Sequence, residues 1–152
     1  MVQRRHKYVG WRRVSGWKCI RCGRCCRDFL IDLAPGEAVY YTLKYGPVVF
    51  SYKGKYYLLM KPDGSCLFLR YKDGHASCAI YHDRPRVCRI YPFYVRRKPL
   101  DEARGEEEDA AYNYNGNKLY VYIDSACPGV NREQNISTLV KSALMLWIRL
   151  FR

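Results

Sequence analysis

Apolar residues recur every three or four positions between residues 132 and 151, which is the spacing of an amphipathic helix. Asn131 is expected to cap this helix, and Gln134 stands where a capping box places Gln or Glu. A shorter helix is predicted over Pro35–Tyr45, because proline favours the first helical turn and the Gly46-Pro47 pair that follows stops a helix. The pattern therefore predicts two helices, the longer one at the C-terminus.

Short stretches rich in Val, Leu and Tyr, separated by turn residues, predict β-hairpins over the rest of the chain. Lys53-Gly54 and Asn115-Gly116-Asn117 are the turn signals of two such hairpins. The predicted strands are residues 29–33, 48–52, 55–60, 66–69, 111–114 and 118–124. A short helix is predicted over residues 84–89 and a loop over residues 98–110. The fold class predicted is α+β, a small single domain of short strands and hairpins.

The length of 152 residues fits one domain. We expect residues 1–18 to be a basic, aromatic N-terminal arm or strand. Residues 19–129 are expected to be a cysteine-cluster domain, on which residues 130–152 pack as the C-terminal helix. The N-terminus has no apolar stretch before the cysteines and the chain has no run of about 20 apolar residues. We therefore expect no signal peptide, no membrane span and a cytoplasmic location.

The formal net charge of +13 is unevenly distributed along the chain. Residues 1–27 contain nine Lys or Arg and no acid, whereas six of the fourteen acids lie in Asp101–Asp109. Such a basic segment attracts RNA or another polyanion. The residues predicted to bind it are Arg4, Arg5, Lys7, Arg12, Arg13 and Lys18. Three alternatives are open. The basic segment is a solvated surface, or the acidic stretch folds back on it, or Trp11 and Trp17 cover the cysteines.

Eight cysteines are the strongest chemical signal in the sequence. Four occur within eight residues, in a stretch predicted to be a loop with tight turns around Gly23. The cysteines are Cys19, Cys22, Cys25, Cys26, Cys66, Cys78, Cys88 and Cys127. Overlapping CxxC turns aim thiolates at one ion, and a set of thiolates suits zinc, copper(I) or an iron–sulfur cluster. In a reducing compartment, metal ligation is favoured over structural disulfides or a redox-active CxxC.

Eight thiols are enough for two sites with four ligands each. One prediction gives most of the N-terminal cysteines to one site. The other site receives Cys66, Cys78, Cys88 and one cysteine of the N-terminal cluster, with Cys127 completing whichever set lacks a ligand. Because neighbouring side chains diverge in an extended backbone, Cys25 and Cys26 are expected to serve different metals, or one of them to bridge. His75 and His82 lie near Cys78 in sequence and are further candidates.

The two motifs together, CxxCxxCC over residues 19–26 and C-x-I-Y-x-x-R-P-x-x-C-R-x-Y-P-F over residues 78–93, make the chain similar to a known family. It resembles the CxxCxxCC family of zinc- or iron-chelating domains, also called YkgJ-like cysteine-cluster proteins. Cys66 with the two residues after it resembles an intermediate element of that family, and Cys127-Pro128-Gly129 a late one. The resemblance implies that all eight cysteines are metal-site candidates.

The resemblance also bears on function. It implies an iron–sulfur cluster, [4Fe–4S] being the type we expect, or zinc, or both, and we favour iron–sulfur for the CxxCxxCC site. Flagellin lysine N-methylases carry a similar cysteine domain, so the alternative is a metal-dependent or redox enzyme. Around negatively charged thiolates, Arg84, Arg89 and Tyr91 are predicted to form an outer layer of hydrogen-bond donors; alternatively, Arg84 only anchors its turn to backbone carbonyls.

Overall fold

A computed structural model describes residues 7–100 and 107–151 of the chain. These residues form nine short strands and five α-helices. The strands, in chain order, are β1 (Tyr8–Gly10), β2 (Asp32–Leu33), β3 (Val49–Tyr52), β4 (Lys55–Leu58), β5 (Leu69–Lys72), β6 (His75–Cys78), β7 (Phe93–Arg96), β8 (Ala111–Tyr114) and β9 (Asn117–Asp124). The helices are α1 (Arg24–Arg27), α2 (Pro35–Tyr45), α3 (Arg86–Ile90), α4 (Glu107–Ala110) and α5 (Ile136–Phe151). The predicted α+β class is confirmed.

The described residues fall into two compact units. The first unit is residues 21–89, and the second unit is residues 7–20, 90–100 and 107–151. The predicted division at residues 18 and 129 stays a prediction. Over the described ranges, none of the helices combines the length and the apolar character that crossing a membrane requires.

The first unit contains a three-stranded antiparallel sheet in the order β2-β4-β3 and the separate hairpin β5-β6. Lys53 and Gly54 both have positive φ at the tip of the β3-β4 hairpin, as the sequence predicts. Burial of apolar side chains from the sheet, α2 and the loops forms one core. That core includes Leu33, Tyr41, Leu58, Phe68 and Ile80, together with Cys66.

Helix α2 begins at Pro35 and ends before Gly46, whose φ of 85° no other residue type adopts readily. The Glu37 carboxylate accepts a hydrogen bond from the Ala34 backbone N–H at 3.0 Å, which satisfies the N-terminal end of the helix. Both predicted ends of this helix are confirmed.

The second unit contains a four-stranded antiparallel sheet built on β9. Strand β7 pairs along one edge of β9, and β1 and β8 pair with successive parts of its other edge. One face of β9 packs with α5, and Val121, Ile123, Val140 and Leu144 are fully excluded from solvent there. The β8-β9 hairpin turns at Asn115-Gly116, both with positive φ, which confirms that prediction.

The C-terminal helix starts at Ile136, so the predicted start at residue 132 and the cap at Asn131 are wrong. The reason is that the residues before Ile136 serve other contacts. Asn131 has φ 65° and its side-chain oxygen accepts from the Ser15 N–H at 2.8 Å. The Asn135 side-chain oxygen accepts from the Trp17 N–H at 3.0 Å.

Three other predicted elements differ from the structure. Residues 66–69 form a turn, with the Leu69 N–H donating to the Cys66 carbonyl at 3.1 Å, and the strand starts only at Leu69. The predicted strand at 29–33 is reduced to β2. The predicted loop at 98–110 ends in helix α4, where the Arg13 side chain pairs with Asp109 at 2.7 Å. The contact confirms the prediction for the described end of the acidic stretch; residues 101–106 lie outside the described residues.

Candidate metal centre

The CxxCxxCC stretch contains a helical turn where the sequence predicts only a loop. Cys25 and Cys26 lie on α1, and the turn is closed by the Asp28 N–H donating to the Arg24 carbonyl at 2.9 Å. Gly23 precedes the helix with φ 77°. The backbone here is helical, so the extended conformation on which the expected divergence of the two thiols rested is wrong. A hydrogen bond from the Cys26 thiol is the largest effect on the Cys25 pKa.

The β5-β6 hairpin holds this stretch in place. The Ala76 N–H donates to the Arg21 carbonyl at 2.8 Å, and Arg21 Nε donates back to the Ala76 carbonyl at 3.3 Å. The Arg27 side chain donates to Tyr71 Oη at 2.7 Å. Gly23 packs so closely that a Cβ on it would lie 2.8 Å from the Ala76 Cβ. The small residues at these two positions therefore set the approach of the cysteine loop to the hairpin.

Five thiols of the first unit act on one another's pKa values, and four of them, all but Cys25, pack into the same apolar core. They come from α1, the turn before β5, the end of β6 and the middle of α3. The five are Cys25, Cys26, Cys66, Cys78 and Cys88. The Cys66 N–H also donates to the Cys26 carbonyl at 2.6 Å, which links two of these segments directly. We refer to these five residues as the five-thiol cluster; Cys22 lies in the same unit, on the loop before α1.

Burial raises the pKa of most thiols in the cluster. It is the largest effect on Cys66, Cys78 and Cys88, and neighbouring cysteines raise these pKa values further. Cys25 is the exception, because the hydrogen bond from Cys26 lowers its pKa to about 7, whereas the pKa of Cys26 is raised. A cation bound among these sulfurs would displace their protons, since thiolate is the ligating form.

The Arg84 guanidinium is the positive charge that acts on most of the cluster. It favours the thiolate forms of Cys25, Cys78 and Cys88. Its position is fixed, because Nε donates to the Tyr81 carbonyl at 2.9 Å and the guanidinium carbon lies 4.1 Å from the Tyr81 ring centroid. Arg84 thus anchors the turn and its charge also acts on the thiols, while its role as a hydrogen-bond donor around a metal stays a prediction.

The other two cysteines belong to the second unit. Trp17 pairs with Val130, and the Lys18 N–H donates to the Gly129 carbonyl at 3.0 Å. Cys19 therefore follows on a strand-like segment that runs alongside the turn containing Cys127. The Trp17 indole N–H donates to Cys127 Sγ at 3.3 Å, as expected if this ring covers a cysteine. Trp11 instead packs on Tyr112, with ring centroids 5.9 Å apart.

The other two residues predicted to form the outer layer of donors, Tyr91 and Arg89, lie in different surroundings. Tyr91 Oη donates to the Asp124 carboxylate at 2.8 Å, and the Asp124 carbonyl accepts from the Cys127 N–H at 3.1 Å. Tyr91 is thus connected to the Cys127 turn through Asp124. Arg89 is exposed on α3. The role of these residues around a metal stays a prediction.

Three of the four described residues predicted to bind a polyanion contact other parts of the protein through their side chains. The Arg12 side chain donates to the Glu108 and Ala111 carbonyls, and Arg13 pairs with Asp109. Lys18 lies 3.7 Å from a Glu133 carboxylate oxygen, and Lys7 is exposed. Arg4 and Arg5 lie outside the described residues. Polyanion binding by this set stays a prediction.

Two carboxylates that position the cluster were missed from sequence. The second oxygen of Glu37 accepts from the Arg86 N–H at 2.9 Å, at the start of the helix that carries Cys88. Asp83 accepts hydrogen bonds from Tyr40 at 3.0 Å, Lys44 at 3.0 Å and Tyr45 at 2.6 Å. The only sequence signal was the position of Glu37 in the first turn of α2.

The chemistry of the five-thiol cluster suits a metal ion. The cluster offers several thiols, and the positive charge of Arg84 stabilises their thiolate forms. As the side chains stand, no group of three or more His, Cys, Asp or Glu within residues 7–100 and 107–151 is arranged to hold an ion. His75 and His82 are both exposed. The thiols therefore provide the donors, and ligation requires them to turn toward a common point.

A cysteine-rich core of this kind defines a class of small metal-binding domains. The chain belongs to the CxxCxxCC family, described as "Putative zinc- or iron-chelating domain", whose model matches residues 18–128. The match covers all eight cysteines, confirms the resemblance seen in the motifs and supports binding of a metal. Comparison with curated proteins and with solved structures found no match in either set.

Proposed function

We propose that this protein holds an iron–sulfur cluster, or zinc, through the thiolates of the first unit. The observation that carries the proposal is the five-thiol cluster, which brings together cysteines from four separate segments. Cys22, on the loop before α1, is the sixth donor of that unit, and Cys19 and Cys127 provide the donors of the second unit. Iron–sulfur is favoured because CxxCxxC runs completed by a remote cysteine are typical of such clusters.

Metal binding in this proposal rearranges the thiols. The hydrogen bond from Cys26 to Cys25 must break if both sulfurs become thiolate ligands, since it needs one proton. The pKa values raised by burial are overcome by the charge of the metal, so loading releases protons. Arg84 then offsets part of the negative charge that several thiolates place in one buried region.

The direct test is anaerobic purification followed by an absorption spectrum and analysis of iron, zinc and acid-labile sulfide. A brown protein with iron, sulfide and absorption near about 400 nm supports the iron–sulfur form. A colourless protein that retains zinc supports the zinc form. A protein that retains neither after reconstitution with each contradicts the proposal.

Single substitutions identify the ligands. Cys88→Ser should abolish metal retention by the first unit, because this thiol interacts with the four others of the cluster. Ser51→Cys is a matched control, since it adds an exposed thiol on β3 and should leave the metal content unchanged. Retention of full metal by Cys88→Ser would show that the cluster is not the site.

A redox enzyme is the second candidate, and the feature behind it is a shallow surface cleft at Cys78 that is largely open to solvent. The cleft has a volume of about 380 Å³, and Cys78, His82, Asp83 and Tyr45 are among the residues that line it. A small molecule in this cleft would contact a thiol of the cluster. A metal centre that changes oxidation state reversibly in an electrochemical titration supports this function. A redox-silent centre supports metal binding without a redox function.

A further inference from the structure

The turn that carries Cys127 is fixed by a buried carboxylate. Asp124 is fully excluded from solvent. Its Oδ1 accepts from the Lys7 and Ala126 N–H groups at 3.0 and 3.1 Å, and its Oδ2 accepts from Tyr91 Oη at 2.8 Å. The Val130 N–H then donates to the Cys127 carbonyl at 3.1 Å. The backbone on both sides of the Cys127 sulfur is therefore held by hydrogen bonds.

The Trp17 backbone is also held by hydrogen bonds, which places its ring beside that sulfur. The Asn135 side chain accepts from the Trp17 N–H at 3.0 Å and donates to the Trp17 carbonyl at 3.3 Å, as a paired strand would. Gly129 leaves room for the ring, because a Cβ there would overlap the Lys18 carbonyl and lie 2.9 Å from Trp17 Nε1. The indole N–H is thereby directed at Cys127 Sγ, 3.3 Å away.

An indole N–H can only donate, and a thiolate accepts a hydrogen bond more strongly than a thiol does. Donors to a ligand sulfur orient it and tune the metal, and their loss weakens metal affinity. This contact therefore has the geometry expected around a metal-bound cysteine.

We propose that Trp17 is a positioning residue for Cys127 as a metal ligand: its indole N–H holds the Cys127 thiolate in place for the metal. The inference rests on the proposed function, because it requires a metal bound by this chain. It gives a specific role to Trp17, which the sequence suggested only as a cover for the cysteines.

The test uses the full chain loaded with zinc and measures zinc affinity by competition with a chromophoric chelator. Trp17→Phe keeps an aromatic ring and removes the donor, so affinity should fall about tenfold. Trp11→Phe is the matched control in the same unit, since its indole N–H donates to the Ala111 carbonyl at 3.4 Å, and it should leave affinity unchanged.

A double-mutant cycle with Cys127→Ser separates this role from general packing. If Trp17 acts through Cys127, adding Trp17→Phe to Cys127→Ser produces no further loss of affinity. An equal loss in both backgrounds, or an equal loss from Trp11→Phe, overturns the inference. If wild-type protein binds neither zinc nor iron, the proposed function itself fails, which is a distinct outcome.

A second measurement leaves Trp17 intact, in case Trp17→Phe does not fold. In the variant Trp11→Phe/Trp147→Phe, Trp17 is the remaining tryptophan. Zinc loading should change its emission intensity, and adding Cys127→Ser should abolish that change. Emission that is insensitive to zinc, or a change that persists without Cys127, counts against the inference.

Discussion

At the residue scale, the approach of the cysteine loop to the hairpin β5-β6 depends on the absence of a side chain. Gly23 has a left-handed backbone, and a Cβ at this position would also meet the Ala76 methyl group. Both effects act immediately before the helix that carries Cys25 and Cys26. Gly23 therefore sets the distance between two of the segments that supply thiols.

Gly23→Ala should lower the free energy of unfolding by about 1–3 kcal/mol, through backbone strain and the close contact together. Gly36→Ala is the matched control. Gly36 lies in the first turn of α2 with open space where a Cβ would project, so alanine there should stabilise the chain by about 0.5–1 kcal/mol. Chemical denaturation of the two variants measures both effects, and equal stabilities would contradict the role given to Gly23.

The residues that surround the thiols show how much of the candidate site could be predicted from the sequence. The eight cysteines and Arg84 were evident from motif and charge, because their spacing and type are local signals. The Asn135 contact with Trp17 joins residues 118 positions apart, and the Glu37 contact with Arg86 joins residues 49 apart. Such pairs depend on the tertiary fold, and no local pattern specifies them.

At the scale of elements, helix α2 determines where α3 begins. Hydrogen bonds from three side chains of α2 converge on the Asp83 carboxylate, and the Tyr41 hydroxyl donates to the Asp83 carbonyl at 2.7 Å. Asp83 ends the 3₁₀ turn that leads through Arg84-Pro85 into α3. Through this turn, α2 fixes the position of Arg84 and of the helix that carries Cys88.

The Asp83 contacts predict a pH dependence of stability. Partial burial raises the pKa of this carboxyl, but hydrogen bonds from Tyr45, Lys44 and Tyr40 outweigh it and leave the pKa below the ordinary value of 3.8. The folded chain thus binds fewer protons here than the unfolded chain. The stabilisation is therefore present above about pH 4 and is lost as the pH falls through the lowered pKa.

Asp83→Asn should accordingly destabilise the chain by about 1–2 kcal/mol at neutral pH and by progressively less below about pH 4. Thermal melts of wild type and variant across this pH range measure the difference. Asp73→Asn is the control, because Asp73 is exposed at a hairpin tip with φ 51°, a conformation that asparagine tolerates. A difference that does not shrink in acid would contradict the assignment.

Elements with strong local signals were predicted well. Pro35 and Gly46 define α2, and the glycine turns define the hairpins β3-β4 and β8-β9. Helix α1 was not predicted, because the cysteines and arginines of residues 19–26 give no apolar period. The start of α5 was misplaced because Asn131 and Asn135 bind the Ser15–Trp17 segment, which is remote in sequence.

At the scale of the whole molecule, the two units have cores of different chemistry. In the second unit, the core of β7, β9 and α5 is formed by aliphatic and aromatic side chains. In the first unit, Cys66 is a core residue, and Cys26, Cys78 and Cys88 pack against the same core. Cysteines thus occupy positions where the first unit would otherwise gain stability from larger apolar groups.

This difference predicts how each unit responds to metal removal. When thiolates ligate a metal, the binding free energy contributes to folding, so stripping the metal should loosen the first unit more than the second.

Hydrogen exchange of loaded and chelator-treated protein measures the loss of protection in each unit separately. The Ala76 amide, which holds the cysteine loop, should lose protection, as should the Cys66 amide, which is bonded to the Cys26 carbonyl. The Ile123 amide should keep its protection, because Ile123 is fully buried on β9 between β1 and β7. Equal loss in both units would mean that metal supports the chain as a whole, and no loss in either would mean that hydrophobic packing alone holds the cysteines in place.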